Sequence, residues 1–233
     1  MLQFIHQNTR PSHSHTSAGG WKGVNMFLAR SGLKRLMRNA YKGGGLRVRR
    51  NNGGLTISGA CWTVYFLWGE WPKETMGDLI SLVGVLPEQG EQYLATKEGN
   101  QMEILDDAMM DAMEIAEQGN HELLISPVIL EDFPKRYRMM RNPDTGKIVC
   151  IREDYYECVD LDQVDTNDDE MLPEGPMIGT GSILGQYVDM VSWSNNRMAF
   201  AVIPERTQNP GIIRICKDFE NAMTQRIEPE KGL

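Results

Sequence analysis

Apolar and polar positions alternate along this chain with two distinct periods, and the switches between them mark out its elements. Leu33, Leu36, Met37, Ala40 and Tyr41 recur at the spacing of one apolar helical face, with Lys34, Arg35, Arg38 and Lys42 on the opposite side. Met26 to Ala29 reads as a short strand before this helix, Ser31 as its cap and Gly43 to Gly45 as its end. Leu46 to Arg49 and Leu55 to Ser58 then alternate at period two around Asn51 to Gly54, a hairpin signal, and Ala60 to Trp68 supplies a third, aromatic-rich strand. Pro72 opens a second helix with Met76, Leu79, Ile80 and Val83 inward. A second hairpin is expected over Glu91–Thr96 and Gln101–Leu105. A third helix is expected over Asp106–Gln118, with Ala108, Met109, Ala112, Met113 and Ala116 inward, ended by Gly119-Asn120.

The second part of the chain continues in the same manner. Leu123–Leu130, Tyr137–Arg141 and Lys147–Arg152 read as strands, the last two joined by the turn Pro143 to Gly146, where Pro fixes φ and Gly permits the reversal. Asp154–Leu161 suggests one or two helical turns, and Asp162–Pro176 a solvated acidic loop. Tyr187–Trp193 and Arg197–Ile203 form a hairpin around Ser194 to Asn196, and a last helix runs from Ile212 to Arg226, burying Ile212, Ile215, Cys216, Phe219 and Met223. The expected fold is α+β, antiparallel sheets with about four helices. Its expected organisation is a flexible leader over residues 1–25, an N-terminal half over 26–118 and a C-terminal half over 119–233. The leader is rich in Ser, Thr, Gly, Asn and Gln and reads as a tail, or as an extension upstream of a protein that begins at Met26.

Charge changes this picture more than composition does. With 41% hydrophobic and 24% charged residues over 233 positions, the chain is ordinary for a globular protein. Its net charge of −8, however, conceals a segregation. From Met26 to Gly69 there are eight basic residues, Arg30, Lys34, Arg35, Arg38, Lys42, Arg47, Arg49 and Arg50, and no acidic one. Glu74 to Glu122 holds twelve acidic residues against Lys97 alone, and Glu153 to Glu174 holds ten with no basic one. Two readings of the basic segment stand side by side. Lys34, Arg35, Arg38, Lys42, Arg47, Arg49 and Arg50 form a phosphate-binding surface, or they pair with acidic segments of the same chain or of a sister subunit. The acidic loop, with Asp162, Asp165, Asp168, Asp169 and Glu170, is the candidate surface for a basic protein partner.

The sequence carries no clear catalytic or cofactor motif. Gly43 to Gly45 lacks the Lys-Ser/Thr of a phosphate-binding loop, and Gly179 to Gly185 matches a dinucleotide fingerprint so loosely that it reads as a turn. The acidic run fails the calcium-loop register, with Glu170 where Gly is needed and Pro176 where a bidentate Glu is needed. His6, His13 and His15 lack Cys or carboxylate partners, and the fourth histidine, His121, sits on an expected turn. Cys61, Cys150, Cys158 and Cys216 are scattered singly, the pattern of reduced thiols in a cytoplasmic protein. The longest apolar stretch, Ala60 to Trp68, is too short to span a membrane, and no signal-peptide pattern is present. No metal or cofactor is expected, and an enzyme is disfavoured.

The order strand, basic helix, hairpin, strand, helix, hairpin over residues 27–105 resembles one domain of the DNA polymerase sliding clamps. Gly53 to Gly59 looks like the clamp hairpin after the first helix. Asp78 to Pro87, continuing to Gly90 and the Glu91–Ile104 hairpin, looks like the clamp's second helix with its trailing strands. The resemblance implies that Lys34, Arg35, Arg38 and Lys42 line a DNA-facing side. The chain departs from the family in leaving little room for a strand before the second helix, in carrying Glu74 and Asp78 on that helix, and in showing no evident second copy of the domain.

The expected function is therefore a non-enzymatic, nucleic-acid-associated accessory protein, clamp-like and of a style that suits a phage or mobile element. The alternative is an acidic interaction module or inhibitor of a nucleic-acid-processing enzyme. Mixed surface charge also permits homo-oligomers.

Overall fold

The computed structural model describes residues 26–51, 53–104, 111–164, 172–183, 186–206 and 208–227, so the expected leader and residues 165–171 of the expected acidic loop lie outside the described residues. The elements in order are α1 (Arg30–Lys42), β1 (Leu46–Arg50), β2 (Gly54–Ser58), β3 (Trp62–Leu67), α2 (Lys73–Val83), β4 (Glu91–Thr96), β5 (Gly99–Glu103), α3 (Ala112–Glu117) and β6 (His121–Glu122). There follow β7 (Leu124–Asp132), β8 (Lys135–Arg141), β9 (Ile148–Arg152), α4 (Glu153–Tyr156), β10 (Glu174–Ile183), β11 (Gln186–Ser194), β12 (Met198–Val202) and α5 (Pro210–Ile227). The fold is α+β, with α1, α2 and α5 its substantial helices. Nine strands share one sheet in the order β5-β4-β1-β2-β3-β12-β11-β10-β6, and β7-β8-β9 form a second.

The large sheet is continuous because β12 returns to pair with β3, antiparallel, Phe200 opposite Val64 and Met198 opposite Phe66. Strands early and late in the sequence therefore share one core. On one face, Leu46, Val48, Leu55, Ile57, Val64, Phe66 and Phe200 bury against Leu33, Leu36 and Met37 of α1, Met76, Leu79 and Val83 of α2, and Met140, Val149 and Ile151 of the small sheet. On the other, Tyr65, Met190, Ala199 and Ala201 receive Ala112 and Ile115 of α3. The outer face of the small sheet, with Leu130, Tyr137, Met139 and Cys150, takes Ile212 of α5.

Several expectations are corrected by this packing. The segment before α1 makes one bridge, Leu28 with Val159, rather than a strand, and Ala29 rather than Ser31 stands at the helix cap, without a side-chain hydrogen bond. The start of α1 is instead fixed by a backbone bond from Ala29 N–H to the Cys158 carbonyl at 2.8 Å. Within the expected third helix, residues 106–110 lie outside the described residues. Its described turn and a half starts after Asp111, whose carboxylate accepts from Met113 and Glu114 N–H while Glu114 accepts from Asp111 N–H.

Gly179 and Gly181 lie in strand β10, not in a turn. A Cβ on Gly179 would stand 3.0 Å from the Gln118 carbonyl carbon, and one on Gly181 2.9 Å from Ile115 Cγ1. These glycines let the segment from α3 to Gly119 lie directly on the sheet. His121 likewise belongs to an edge strand, β6, paired with Ile178. Ile80, Ile215 and Phe219, expected inside, are each more than a third exposed.

Candidate nucleic-acid interface

Because α1 carries a strong apolar stripe, its docking orientation is decided: Leu33, Leu36 and Met37 go down onto the sheet, and its basic residues must go outward or sideways. They divide between the two. Lys34 turns sideways to α2, where its ammonium is hydrogen-bonded to Asp78. Arg30 donates to the same carboxylate at 2.8 Å. Asp78 is buried at 6% exposure, so two cations share one anion at the α1–α2 seam. The Arg30 hydrogen bond, with that of Lys34, holds the Asp78 carboxyl below the usual carboxylate range against the opposing effect of burial.

A carboxylate whose folded pKa is depressed contributes stability above its ordinary value of 3.8 and loses it as pH falls through the depressed value. The melting temperature of Asp78→Asn should therefore lie below wild type near neutral pH. The gap should close as the pH falls below about 4, measured by thermal melts across the acidic range.

Outward, α1 presents Ser31, Arg35, Arg38 and Lys42, spaced so that they form one stripe along the helix. Arg35 donates to the Asp154 carbonyl at 3.2 Å and lies 3.7 Å from Glu157, with both charged side chains about half exposed, a contact of little strength in water. Arg38 and Lys42 are exposed, and among the described residues neither is within ion-pair distance of a carboxylate. The neighbouring surface of α2 exposes Gly77, Ile80, Ser81 and Gly84 beside Lys73 and Glu74. With Asp78 turned into the seam, Glu74 is the acid left on the outer surface of α2.

The strand arginines go elsewhere. On β1, Leu46 and Val48 turn to the core beneath α1, so Arg47 and Arg49 turn to the opposite face of the sheet. Arg47 is locked there in a two-pronged bond with Glu103, 2.6 and 3.0 Å, which lowers the Glu103 pKa and raises that of Arg47. Arg49 is half-buried in the β1 ladder, opposite Thr56 of β2 and Gln92 of β4. Arg50 lies on the helix side, its guanidinium 4.3 Å from the ring centre of Trp68 and 5.7 Å from that of Trp71. Trp68 is 50% exposed, whereas Trp62, Tyr65 and Phe66 are core. The seven basic candidates thus separate into an outward triplet, Arg35, Arg38 and Lys42, and four residues engaged within the fold.

Neither a family model nor a curated protein sequence matches the chain. Among solved structures, it is similar to the beta chain of DNA polymerase III from Streptococcus pneumoniae, at 8% identity and a TM-score of 0.29, with 80% of this chain and 66% of that chain covered. The likeness is distant.

Of the acidic candidates, Asp162 is exposed in a short 3-10 turn (Leu161–Gln163). Asp165, Asp168, Asp169 and Glu170 lie outside the described residues. Among the described residues no group of three His, Cys, Asp or Glu side chains could hold a metal ion, and no helix is long and apolar enough to cross a membrane. Sequence reasoning missed Asp78 and Glu103 as the counterions that draw Lys34 and Arg47 inward. They lie 44 and 56 residues from their partners, and no local pattern signals such pairs.

Proposed function

We propose that this chain is a nucleic-acid-associated accessory protein that holds phosphate backbone on the outward stripe of α1, through Arg35, Arg38 and Lys42. The observation that carries the proposal is the exposure of Arg38 and Lys42 on a rigid helix, with no carboxylate at ion-pair distance among the described residues. Helix geometry supports it: positions 35, 38 and 42 project along one line, and the adjoining surface of α2 is small and mostly uncharged, leaving room for a backbone to lie across the pair. Binding of this kind reads charge and not base sequence.

The reading is tested by charge reversal. Arg38→Glu with Lys42→Glu should weaken binding to duplex DNA by about 100-fold at low salt and reduce the dependence of log affinity on log salt by about 2. A control with the same change in net charge, Arg214→Glu with Lys217→Glu, alters two exposed positions on α5, beyond the outer face of the small sheet, and should leave both quantities near wild type. Equal loss in the two double variants would reduce the effect to net charge and remove α1 from the account.

A further inference from the structure

We infer that Cys150 and Cys216 are a modification site: a dithiol pair that closes to an intramolecular disulfide and clasps α5 to the small sheet. All four cysteines are free, and the sequence gives no reason to pair any two of them. The fold nevertheless brings Cys150 on β9 and Cys216 on α5 to a sulfur–sulfur separation of 3.8 Å, across 66 residues of chain. Both belong to the layer in which Ile212 packs on Leu130, Tyr137 and Met139.

Among the described apolar side chains of α5 only Ile212 is buried, while Ile215 and Phe219 are 40% and 37% exposed. One helical turn beyond Cys216, Glu220 accepts from Ile148 N–H of β9 at 2.8 Å. A covalent bond at Cys216 would fall between Ile212 and Glu220, on the side of the helix that already faces β9.

Closure needs an oxidant, and a low-molecular-weight disulfide supplies it. The half-buried Cys216, as thiolate, attacks one sulfur of the small disulfide and expels the other as a thiolate, giving a mixed disulfide. The Cys150 thiolate then attacks the Cys216 sulfur, expelling the second small thiolate. The two protons lost by the cysteines end on the two released thiols, and the two electrons reduce the small disulfide. Burial raises both thiols, with the carboxylate of Glu220 adding to the effect, so thiolate is scarce at neutral pH and closure is slow.

The test uses the full chain, incubated with oxidised glutathione, quenched with a maleimide and analysed by intact mass and peptide mapping. Expected are a species 2 Da lighter than the reduced chain before alkylation, with two thiols protected, and a linked peptide pair containing Cys150 and Cys216. Closure should raise the melting temperature by roughly 5 °C or more, reversed by dithiothreitol. Cys216→Ser should abolish the linked pair, whereas Cys61→Ser with Cys158→Ser should retain it. Complete alkylation of all four thiols, a stable glutathione adduct at Cys216 without closure, or a link through other cysteines would each overturn the proposal.

Discussion

Phe200→Ala should lower unfolding stability by about 3–5 kcal/mol, read as a fall in the denaturant midpoint at unchanged slope. Phe200 has no solvent exposure, sits on the strand that joins the two parts of the nine-stranded sheet, and lies against Trp193 with ring centres 6.1 Å apart. Its loss opens a void in the core that the large sheet shares with the helices and the small sheet, where the close-packed surroundings cannot collapse freely. Ile80→Ala, at a position 42% exposed on α2, is the contrasting case and should cost less than about 1 kcal/mol. If the two cost the same, the assignment of the shared core would be wrong.

Arg138→Ala should cost a comparable amount, about 3–5 kcal/mol, for a different reason. Arg138 on β8 holds the Glu153 carboxylate with two guanidinium nitrogens, one at 3.0 Å, and lies 4.6 Å from the ring centre of Tyr156. Both charged side chains are largely buried, so removing the arginine leaves a carboxylate without its counterion away from water. Arg138→Met combined with Glu153→Leu removes both charges and should recover most of the loss. That non-additivity, measured as a double-mutant cycle, separates a stranded charge from lost packing. The pair also matters to the proposed interface, because α4 begins at Glu153 and its Asp154 carbonyl accepts from Arg35.

What the sequence made legible was local. The apolar spacing of α1 identified the helix and its apolar face, and the alternating runs with Asn- or Gly-containing turns identified the hairpins β1–β2, β4–β5 and β11–β12. Strand pairing across long separations had no such signal: nothing local says that β12 lies beside β3. β10 was hidden because its glycines, which make room for α3, look like turn residues when read without α3 above them. Ile215 and Phe219 were expected inside because an amphipathic pattern gives the direction of a helix face but not how wide a surface it meets.

The candidate site was legible to the same degree. Basic charge on α1 could be read from spacing, but its division could not, because Asp78 and Glu103 reach Lys34 and Arg47 only through tertiary packing. In the structure three of the seven candidates, Arg35, Arg38 and Lys42, project outward from α1. The structure also gives the pairing interpretation its due: four of the seven are engaged within the fold, Lys34 and Arg47 by carboxylates and Arg50 by tryptophan rings.

The central claim, that the outward stripe of α1 holds nucleic-acid phosphates, is tested most directly by fluorescence anisotropy of the full wild-type chain on labelled duplex DNA at two salt concentrations. Three phosphate contacts predict a slope of log affinity on log salt of about −2.7, so binding should weaken by roughly 40-fold between about 50 and 200 mM salt. No binding at the lower salt, or binding insensitive to salt, would contradict the account.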